Sequence, residues 1–427
     1  MVFLSAREPI ILPSDEIQPI SKILLECLGW GEDEVKSSSL VGVTEHQWQA
    51  VLLLALKQGV GPLLYQRLNQ PLPGLAVPEP VSTRLRNIFL TSLADTTRLY
   101  KQIELVLTSL HAEGIRVIPL KGIYLAEKVY RNIGERPMLD VDLLLERSQM
   151  RRSVELMADL GYNPGYPFQV EEECLVMHHL PGLYKSGTQH LELHWNLAPL
   201  TTPFTVPIQQ IWEFARPGKI AGTNVLEMSP EDSLLHLCLH AAYLDTFSSG
   251  LRPICDIAWT FQIFREELDW DLLMSHAQSW KAERSLILGL KVAQKMLGID
   301  IPQYLLHFLK TDWDDLGMEE WAIQQILQPA GIGSKLAQVW MPQTWQRRPR
   351  LLFEKLFPPI WEMKQSYPEL TRGIFWLLAY LKHLIIVVIR NWQAVWGLFL
   401  KDSALLAAAE QRSRINRLMR WQEGENA

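Results

Sequence analysis

The sequence predicts an α+β protein that is mostly helical, with one small mixed β-sheet flanked by helical regions. Apolar residues recur at helical spacing over most of the 427 residues, whereas short β-rich runs occur only between residues 115 and 202. With 48% hydrophobic residues, a chain of this length can bury a large core. We therefore expect a globular protein with several structural regions.

The order of these patterns divides the chain into four regions. Residues 1–114 form an N-terminal helical region, in which the proline-rich linker NQPLPGLAVPEP separates two helical segments. Residues 115–202 form an α/β core, because β-rich runs alternate there with helical segments. Residues 203–330 are expected to be a helical, substrate-side domain without strands, and residues 331–427 a basic, Trp-rich helical region.

Three strands are predicted in the α/β core, from the runs RVIPL, MLDVDLLL and LELHWNL. Helices are expected between them, over residues 123–131 and 148–160. Further along, SPEDSLLHLCLHAAYL begins a helix, with Ser229 as the N-cap and two acidic residues in the first turn. Strands and helices thus alternate only in the core.

Charge and cysteine usage limit the class of protein and its compartment. The formal charge of −6 and the isoelectric point near 6.0 argue against a general nucleic-acid binder, so no specific nucleic-acid partner is expected. Four cysteines without paired spacing indicate reduced thiols. The first residues lack the pattern of a signal peptide. These features favour a cytoplasmic protein.

Two aspartates stand one residue apart in an apolar strand. Asp140 and Asp142 are expected to share one face, while Leu139, Val141 and Leu143 face the core. Two carboxylates about 4 Å apart repel by about 4 kcal/mol at an effective dielectric constant of 20. A bound Mg²⁺ ion would offset that repulsion. Without metal, Asp142→Asn is expected to leave the fold intact or slightly more stable, because the substitution relieves the repulsion between the two carboxylates. The alternative is a solvated edge strand.

Other polar residues extend the predicted site. Glu192 and His194 alternate on another strand, and three carboxylates suit two Mg²⁺ ions, which Mn²⁺ can replace. Lys121 and Gly122 lie where a strand meets a helix N-terminus, a place that binds phosphate, and Arg136 is a second candidate phosphate clamp. Alternatively, His194 bonds a metal-bound carboxylate, and Glu192 and Lys121 are ordinary strand residues.

A second polar cluster is predicted on two later helices. His236 and His240 are one turn apart, as are Arg252 and Asp256 on the next helix. One interpretation is a wall that contacts the acceptor or the base of a nucleotide, and the other is a polar network that holds the two helices in register. A zinc site is not favoured, because no Glu follows the first His as in metalloproteases.

The C-terminal region carries charge of the opposite sign to the rest. From Ala330 onward there are 14 Lys and Arg against 7 Asp and Glu, a balance of +7. Residues 373–400 are long enough to cross a bilayer, but Lys382, His383 and Arg390 interrupt them. Nearby basic and aromatic residues are Arg347, Arg348, Arg350, Arg412, Arg414, Arg417, Arg420, Trp376, Trp392 and Trp396. One interpretation is that the region binds an anionic membrane or an acidic protein. The other is that it forms a buried helix.

At the core motifs the chain resembles the uncharacterised nucleotidyltransferase family of the DNA polymerase β-like nucleotidyltransferase superfamily. The resemblance runs through LKGIYLAEKVY, ERPMLDVDLLL, LELHW and LLHLCLHAA, and loosely over residues 44–264. It implies that Asp140 and Asp142 bind Mg²⁺ and an NTP, that Glu192 is the third acidic ligand, and that Lys121 and Gly122 form the nucleotide-binding turn. The wider superfamily usually has Gly-Ser at that turn.

The sequence therefore predicts a cytoplasmic, Mg²⁺-dependent nucleotidyltransferase. It would transfer a nucleoside monophosphate from ATP or another NTP to an unidentified acceptor, which is a small molecule, a peptide or a protein, and release pyrophosphate. The alternative is a catalytically inactive protein that responds to nucleotides or binds a membrane surface. The presence of all three carboxylates favours the enzyme.

Overall fold

Helices make up most of the protein and surround a five-stranded mixed sheet. The computed structural model describes residues 14–29, 40–70, 76–302, 317–328, 357, 363, 378–386 and 403–424. Within these residues, the predicted α+β class with a predominance of helix is confirmed.

Four helices precede the sheet. They are α1 (Ser14–Leu28), α2 (Glu45–Lys57), α3 (Gly61–Leu68) and α4 (Glu79–Ala112). Thr44 begins α2 with a capping box, because its side chain accepts from Gln47 N while the Gln47 side chain accepts from Thr44 N. The 34 residues of α4 extend about 51 Å at 1.5 Å per residue. Tyr100 on α4 donates to Ile123 O at 2.9 Å, which ties this long helix to the α/β core.

The central sheet has one parallel pair of strands at its middle. Its strands are β1 (Val117–Pro119), β2 (Asp140–Leu145), β3 (Asn163–Pro164), β4 (Leu183–Tyr184) and β5 (His190–His194), in the order β1-β2-β5-β4-β3. Helices α5 (Lys121–Lys128), α6 (Met150–Asp159) and α7 (Val170–Val176) connect them. β2 and β5 are parallel, and the other neighbouring pairs are antiparallel. The crossover between β2 and β5 brings together two strands that lie far apart in sequence.

The two faces of the parallel pair differ in chemistry. Val141 and Leu143 on β2, and Leu191 and Leu193 on β5, are almost fully buried in the core. Leu139 was expected to join them, but its side chain is 55% exposed, so that expectation is wrong. The reason is that β2 begins only at Asp140, and the alternation of strand faces does not extend to the residue before it.

A β-hairpin corrects the prediction that no strands occur after residue 203. It follows α8 (Ile208–Phe214) and consists of β6 (Arg216–Ile220) and β7 (Thr223–Glu227). Ala221 and Gly222 form its two-residue turn, and both have positive φ, of 50° and 74°, as a type I′ turn requires. Proline and glycine within RPGKI are uncommon in strands, and they conceal this hairpin in the sequence.

Helices then follow to the end of the described chain. They are α9 (Pro230–Leu239), a π-helix (His240–Leu244), α10 (Arg252–Ile263), α11 (Trp270–Trp280), α12 (Glu283–Leu297), α13 (Met318–Leu327) and α14 (Ser403–Gln422). Ser229 caps α9 as predicted, because its hydroxyl accepts from Asp232 N at 3.1 Å. Gln422 on α14 accepts from Ser285 at 2.6 Å and donates to Ala242 O at 3.0 Å. The end of α14 therefore packs against α12 and the π-helix.

Little of the basic C-terminal region is described. Of residues 373–400, only 378–386 are described, and they are helical. Arg347, Arg348, Arg350, Arg390, Trp376, Trp392 and Trp396 lie outside the described residues. Within the described ranges, no helix combines the length and the apolar character that crossing a bilayer requires. Association with a membrane or an acidic partner stays a prediction.

A single apolar core extends through the described residues, from the first helix to Trp421 near the end of α14. Cys27, Cys174, Cys238 and Cys255 are all buried free thiols, as their spacing predicts. The four sequence regions and the cytoplasmic location stay predictions.

Candidate functional site

Five polar side chains follow the parallel strands β2 and β5 on one face of the sheet. The register pairs Asp140 with His190 and Asp142 with Glu192, while His194 lies one pleat further along β5. Because alternate residues share a face, these side chains form one row of pairs, which we term the carboxylate–histidine cluster. The structure thus brings together Asp140, Asp142, Glu192 and His194, which the sequence placed on separate strands.

The donor atoms of this cluster form two overlapping groups. Asp140, His190 and Glu192 form one, and Asp142, Glu192 and His194 form the other, with all donor atoms of a group within 4.8 Å of one another. His194 Nε2 lies 3.0 Å from Asp142 Oδ1 and 3.6 Å from Glu192 Oε2. His190 Nε2 lies 3.5 Å from the other oxygen, Glu192 Oε1. Glu192 therefore belongs to both groups, and each group could hold a metal ion.

The two aspartates differ in exposure and in pKa, and Asp140 is exposed at the start of β2 whereas Asp142 is buried. Desolvation, and then the negative charge of Asp142, raise the pKa of Asp140 above its ordinary value. Burial would also raise the pKa of Asp142, but the charge of Lys121 and the hydrogen bond with His194 outweigh it and hold that pKa well below its ordinary value. Asp142 is therefore the fixed anion of the pair.

The imidazole groups of His190 and His194 offset part of the negative charge of the carboxylates. Burial opposes ionisation of Glu192, but hydrogen bonds with His190 and His194 outweigh it and lower the pKa of Glu192. Burial likewise opposes protonation of His194, but Asp142 and Glu192 raise its pKa. Each histidine thus lies beside a carboxylate, where a bound cation would take the place of its proton.

The turn between β1 and α5 brings a cation to this cluster. Lys121 Nζ lies 3.6 Å from Asp142 Oδ2, and both side chains are largely buried. Lys121 has a positive φ of 42°, which is uncommon for a residue with a side chain and is characteristic of functional sites. Lys121 and not Gly122 therefore adopts the strained conformation of the predicted nucleotide-binding turn.

Gly122 has a different physical role in this turn. A Cβ atom at this position would lie 2.8 Å from Arg136 Nη1 and 3.0 Å from Met138 Sδ. The absence of a side chain therefore lets Arg136 and Met138 pack directly against the start of α5.

Arg136 itself lies in a buried ion pair with Asp256 on α10. Its Nε and Nη2 atoms donate to the two carboxylate oxygens at 2.9 and 2.8 Å, and Tyr130 OH donates to Asp256 Oδ1 at 2.8 Å. Arg252 Nη1 donates to Pro137 O at 3.2 Å. We term these four side chains the loop anchor, because they fix the segment that leads into β2.

The loop anchor contains three residues of the predicted site, Arg136, Arg252 and Asp256. Burial would lower the pKa of Arg136, but the ion pair with Asp256 outweighs it and raises that pKa. Two nitrogens of the guanidinium donate to Asp256, and the role of Arg136 as a phosphate clamp stays a prediction. Arg252 and Asp256 connect α10 to the segment before β2, so they form a polar network, but one that differs from the helix-to-helix network expected from the sequence.

The two predicted histidines of the helical region lie at the end of α9. His236 is buried, and burial followed by the charge of Lys121 lowers its pKa well below the ordinary value. His240 begins the π-helix, and its Nδ1 lies 3.3 Å from Asp245 Oδ2. π-Helical turns are frequent at functional sites. The charge of His240 also helps to lower the pKa of Asp142.

Sequence reasoning missed three histidines of this site. His190 continues the alternation of Glu192 and His194 one step towards the N-terminus, and that spacing was available in the sequence. His178 and His179 have ring centroids 5.4 and 5.0 Å from that of His194. Burial, followed by the charges of His194 and His179, lowers the pKa of His178 to about 2. Only tertiary folding reveals this pair, because it lies outside any named strand.

The comparisons with known proteins agree with this geometry. A family model described as uncharacterised nucleotidyltransferase matches residues 44–298, which include the whole cluster and the loop anchor. No curated protein and no solved structure matches the chain. The match covers more than half of the 427 residues. The chain therefore belongs to the uncharacterised nucleotidyltransferase family, as its motifs indicate.

Proposed function

We propose that the protein transfers a nucleoside monophosphate from an NTP to an acceptor and releases pyrophosphate, with the help of divalent cations. The observation that carries this proposal is the shared face of β2 and β5, where Asp140, Asp142 and Glu192 lie together and the ammonium group of Lys121 is beside Asp142. Three carboxylates with one adjacent cation suit a triphosphate that arrives with its metal ions.

The donor set is chemically suited to metal ions. Each group of donors contains two carboxylates and one imidazole, and Glu192 has one oxygen towards each group. Bound divalent cations would neutralise phosphate charge and lower the pKa of an acceptor hydroxyl. Mg²⁺, the ion that the sequence predicts, is the usual partner of an NTP in solution and stays part of this proposal.

The protein residues bind and orient the substrates in this proposal. Lys121 lies beside Asp142 and pairs with a phosphate oxygen of the NTP, supported by the free N–H groups at the start of α5. Asp140, Asp142 and Glu192 hold the cations that align the triphosphate. His236 and His240 form the wall towards the helical region and contact the acceptor or the base.

The chemical step is a displacement at the α-phosphorus of the NTP. An acceptor oxygen forms a bond to that phosphorus while the bond between the phosphorus and the bridging oxygen of the β-phosphate breaks. The electron pair of that bond leaves with pyrophosphate, and the acceptor proton passes to solvent or to a neighbouring base. Catalysis is then mainly a matter of charge stabilisation and alignment.

Incubation with each α-labelled NTP and a divalent cation tests the proposal. We expect release of pyrophosphate and transfer of the label to an acceptor supplied from a metabolite or peptide pool, or to the protein itself. Glu192→Gln should retain nucleotide affinity within about tenfold, roughly 1.4 kcal/mol. Turnover should fall about a hundredfold or more, because the carboxylate contributes more in the transition state than in the ground state.

Glu104→Gln, on the exposed side of α4, is the matched control and should behave as the wild type. Binding of NTP without release of pyrophosphate, under all cations and acceptor pools tried, would instead support the inactive, nucleotide-responsive alternative. Near-normal turnover of Glu192→Gln would remove Glu192 from the catalytic site.

A further inference from the structure

An unusual feature of the carboxylate–histidine cluster is that each group of metal donors includes an imidazole. His190 belongs to the group of Asp140 and Glu192, and His194 to the group of Asp142 and Glu192. Hard Mg²⁺ prefers oxygen ligands, whereas imidazole suits transition ions such as Zn²⁺, Fe²⁺ and Ni²⁺. The histidines therefore raise the question of which ion the protein itself selects.

The distances between the donor atoms fit direct coordination by both histidines. A metal with bonds of about 2.1 Å places neighbouring ligand atoms about 3.0 Å apart in an octahedral site and about 3.4 Å apart in a tetrahedral site. His194 Nε2 lies 3.0 Å from Asp142 Oδ1 and 3.6 Å from Glu192 Oε2. His190 Nε2 lies 3.5 Å from Glu192 Oε1. These donors need only small movements to share an ion.

The surroundings of His194 also favour a fixed orientation of its ring. Its side chain is 4% exposed and packs against the rings of His178 and His179. His179 is fixed in turn, because its Nδ1 lies 2.8 Å from Leu180 O. A preorganised imidazole loses little freedom on binding a metal, which strengthens its contribution to the site.

We propose that His190 and His194 are metal ligands, and that without nucleotide the cluster binds first-row transition ions in preference to Mg²⁺. The shared carboxylate of Glu192 bridges the two positions, with one oxygen towards each histidine. This inference concerns the same site as the proposed function and deepens it. Metal binding by the free protein, however, is measured without any NTP or turnover.

Calorimetric titration of the metal-stripped protein with Zn²⁺, Co²⁺, Mn²⁺ and Mg²⁺, near neutral pH and without nucleotide, tests the preference. We expect Kd values for Zn²⁺ and Co²⁺ at least about a hundredfold lower than that for Mg²⁺, in the order that nitrogen-containing sites follow. Pulsed EPR of bound Mn²⁺ should show coupling to a directly coordinated ¹⁴N nucleus of imidazole. Equal affinities for Co²⁺ and Mg²⁺, or the absence of nitrogen coupling, would overturn the proposal.

His194→Gln is the informative variant. The glutamine amide nitrogen can occupy the position of Nε2 and keep a hydrogen bond to Asp142, while its oxygen offers Mg²⁺ a hard ligand. We expect the affinity for Co²⁺ to fall by about tenfold or more and that for Mg²⁺ to change little, so the preference shrinks. His46→Gln, an exposed residue on α2, is the matched control and should keep the wild-type preference.

His190→Gln provides a second variant, because its side chain is 26% exposed and its substitution is less able to disturb the fold. Circular dichroism confirms that each variant is folded before titration. Identical metal preferences in the wild type and in both folded variants would refute ligation by these histidines. A protein that shows the preference but no nucleotidyl transfer would refute the proposed function and leave this inference intact.

Discussion

The carboxylate–histidine cluster and the loop anchor are both groups of charged side chains, but they differ in how completely the charges are matched. In the loop anchor, Arg136 donates twice to Asp256, and Tyr130 supplies a further hydrogen bond. In the cluster, three carboxylates lie together and the ammonium of Lys121 is beside one of them, Asp142, with histidines offsetting part of the remaining charge. The ion pair of Arg136 and Asp256 in the loop anchor is therefore closed, whereas the cluster is open to a cation.

This difference gives the ion pair of the loop anchor a structural role and the carboxylate–histidine cluster a binding role. A closed ion pair has no unsatisfied charge to offer a ligand, so its contribution is to hold the segment that leads into β2. In an open group of anions the negative charges repel one another, and a bound cation relieves that repulsion. Gly122 links the two, because its missing side chain allows Arg136 to pack against the turn that carries Lys121.

The largest expected effect comes from breaking the open cluster with Asp142→Asn. Loss of this anion should abolish metal-dependent NTP binding and lower turnover by about a thousandfold or more, roughly 4 kcal/mol. The metal-free protein should also lose about 1 to 3 kcal/mol of stability, because Lys121 and His194 lose a buried ionic partner. The expected loss of stability is opposite in sign to the small gain that the sequence suggests, where the substitution relieves repulsion between Asp140 and Asp142.

Calorimetry with a non-hydrolysable NTP measures binding, and denaturant unfolding of the metal-free protein measures stability. Asp159→Asn, an exposed carboxylate at the end of α6, is the matched control and should change neither. Unchanged metal-dependent affinity in Asp142→Asn would contradict the assignment of the cluster as the binding site.

Breaking the closed loop anchor should affect stability first. Asp256→Asn leaves the buried guanidinium of Arg136 without its counter-charge, which should cost about 3 to 5 kcal/mol. The double variant Arg136→Met/Asp256→Leu should recover much of that loss, because a buried ion pair can be replaced by apolar residues of similar size. Denaturant unfolding of the single and double variants measures both effects.

Activity distinguishes positioning from stability in these variants. If the loop anchor positions the turn of Lys121, the stable double variant should still have reduced turnover. A double variant with wild-type stability and wild-type turnover would show that the ion pair is dispensable for the site. A double variant no more stable than Asp256→Asn would contradict the closed, exchangeable nature of the pair.

The smallest expected effect concerns Glu135, which is a buried carboxyl group next to Arg136 of the loop anchor. Burial raises its pKa to about 7, and the charges of Arg131 and Arg67 offset only part of that effect. The folded state thus binds the proton more tightly than the unfolded state. This contribution to stability is present at low pH and is lost as the pH rises from about 4.5 to about 7, by up to about 3 kcal/mol.

Glu135→Gln should remove this part of the pH dependence and stabilise the protein at alkaline pH relative to the wild type. Unfolding free energies measured across this pH range check the effect, with exposed Glu104→Gln as the control. A pH profile identical to that of the wild type would show that Glu135 ionises normally in the folded protein.

Some of the site was available from the sequence because strand alternation is a local rule. The placement of Asp140 and Asp142 on one face follows from their spacing within a single strand. The same rule would have added His190, which stands two residues before Glu192. It failed for Leu139, which precedes the strand, and for β6, where proline and glycine conceal the strand.

The sequence by itself determined the mostly helical α+β class, the apolar and polar faces of β2 and β5, and the residue types suited to metal and phosphate. Those properties arise from local periodicity and side-chain chemistry. Only the tertiary structure decided that β2 and β5 pair in parallel with Asp142 opposite Glu192, and that Arg136 bonds Asp256 while Lys121 lies beside Asp142. The strand pairing and the Arg136–Asp256 pair depend on contacts between residues 50 or more positions apart, whose energies are set by burial and packing.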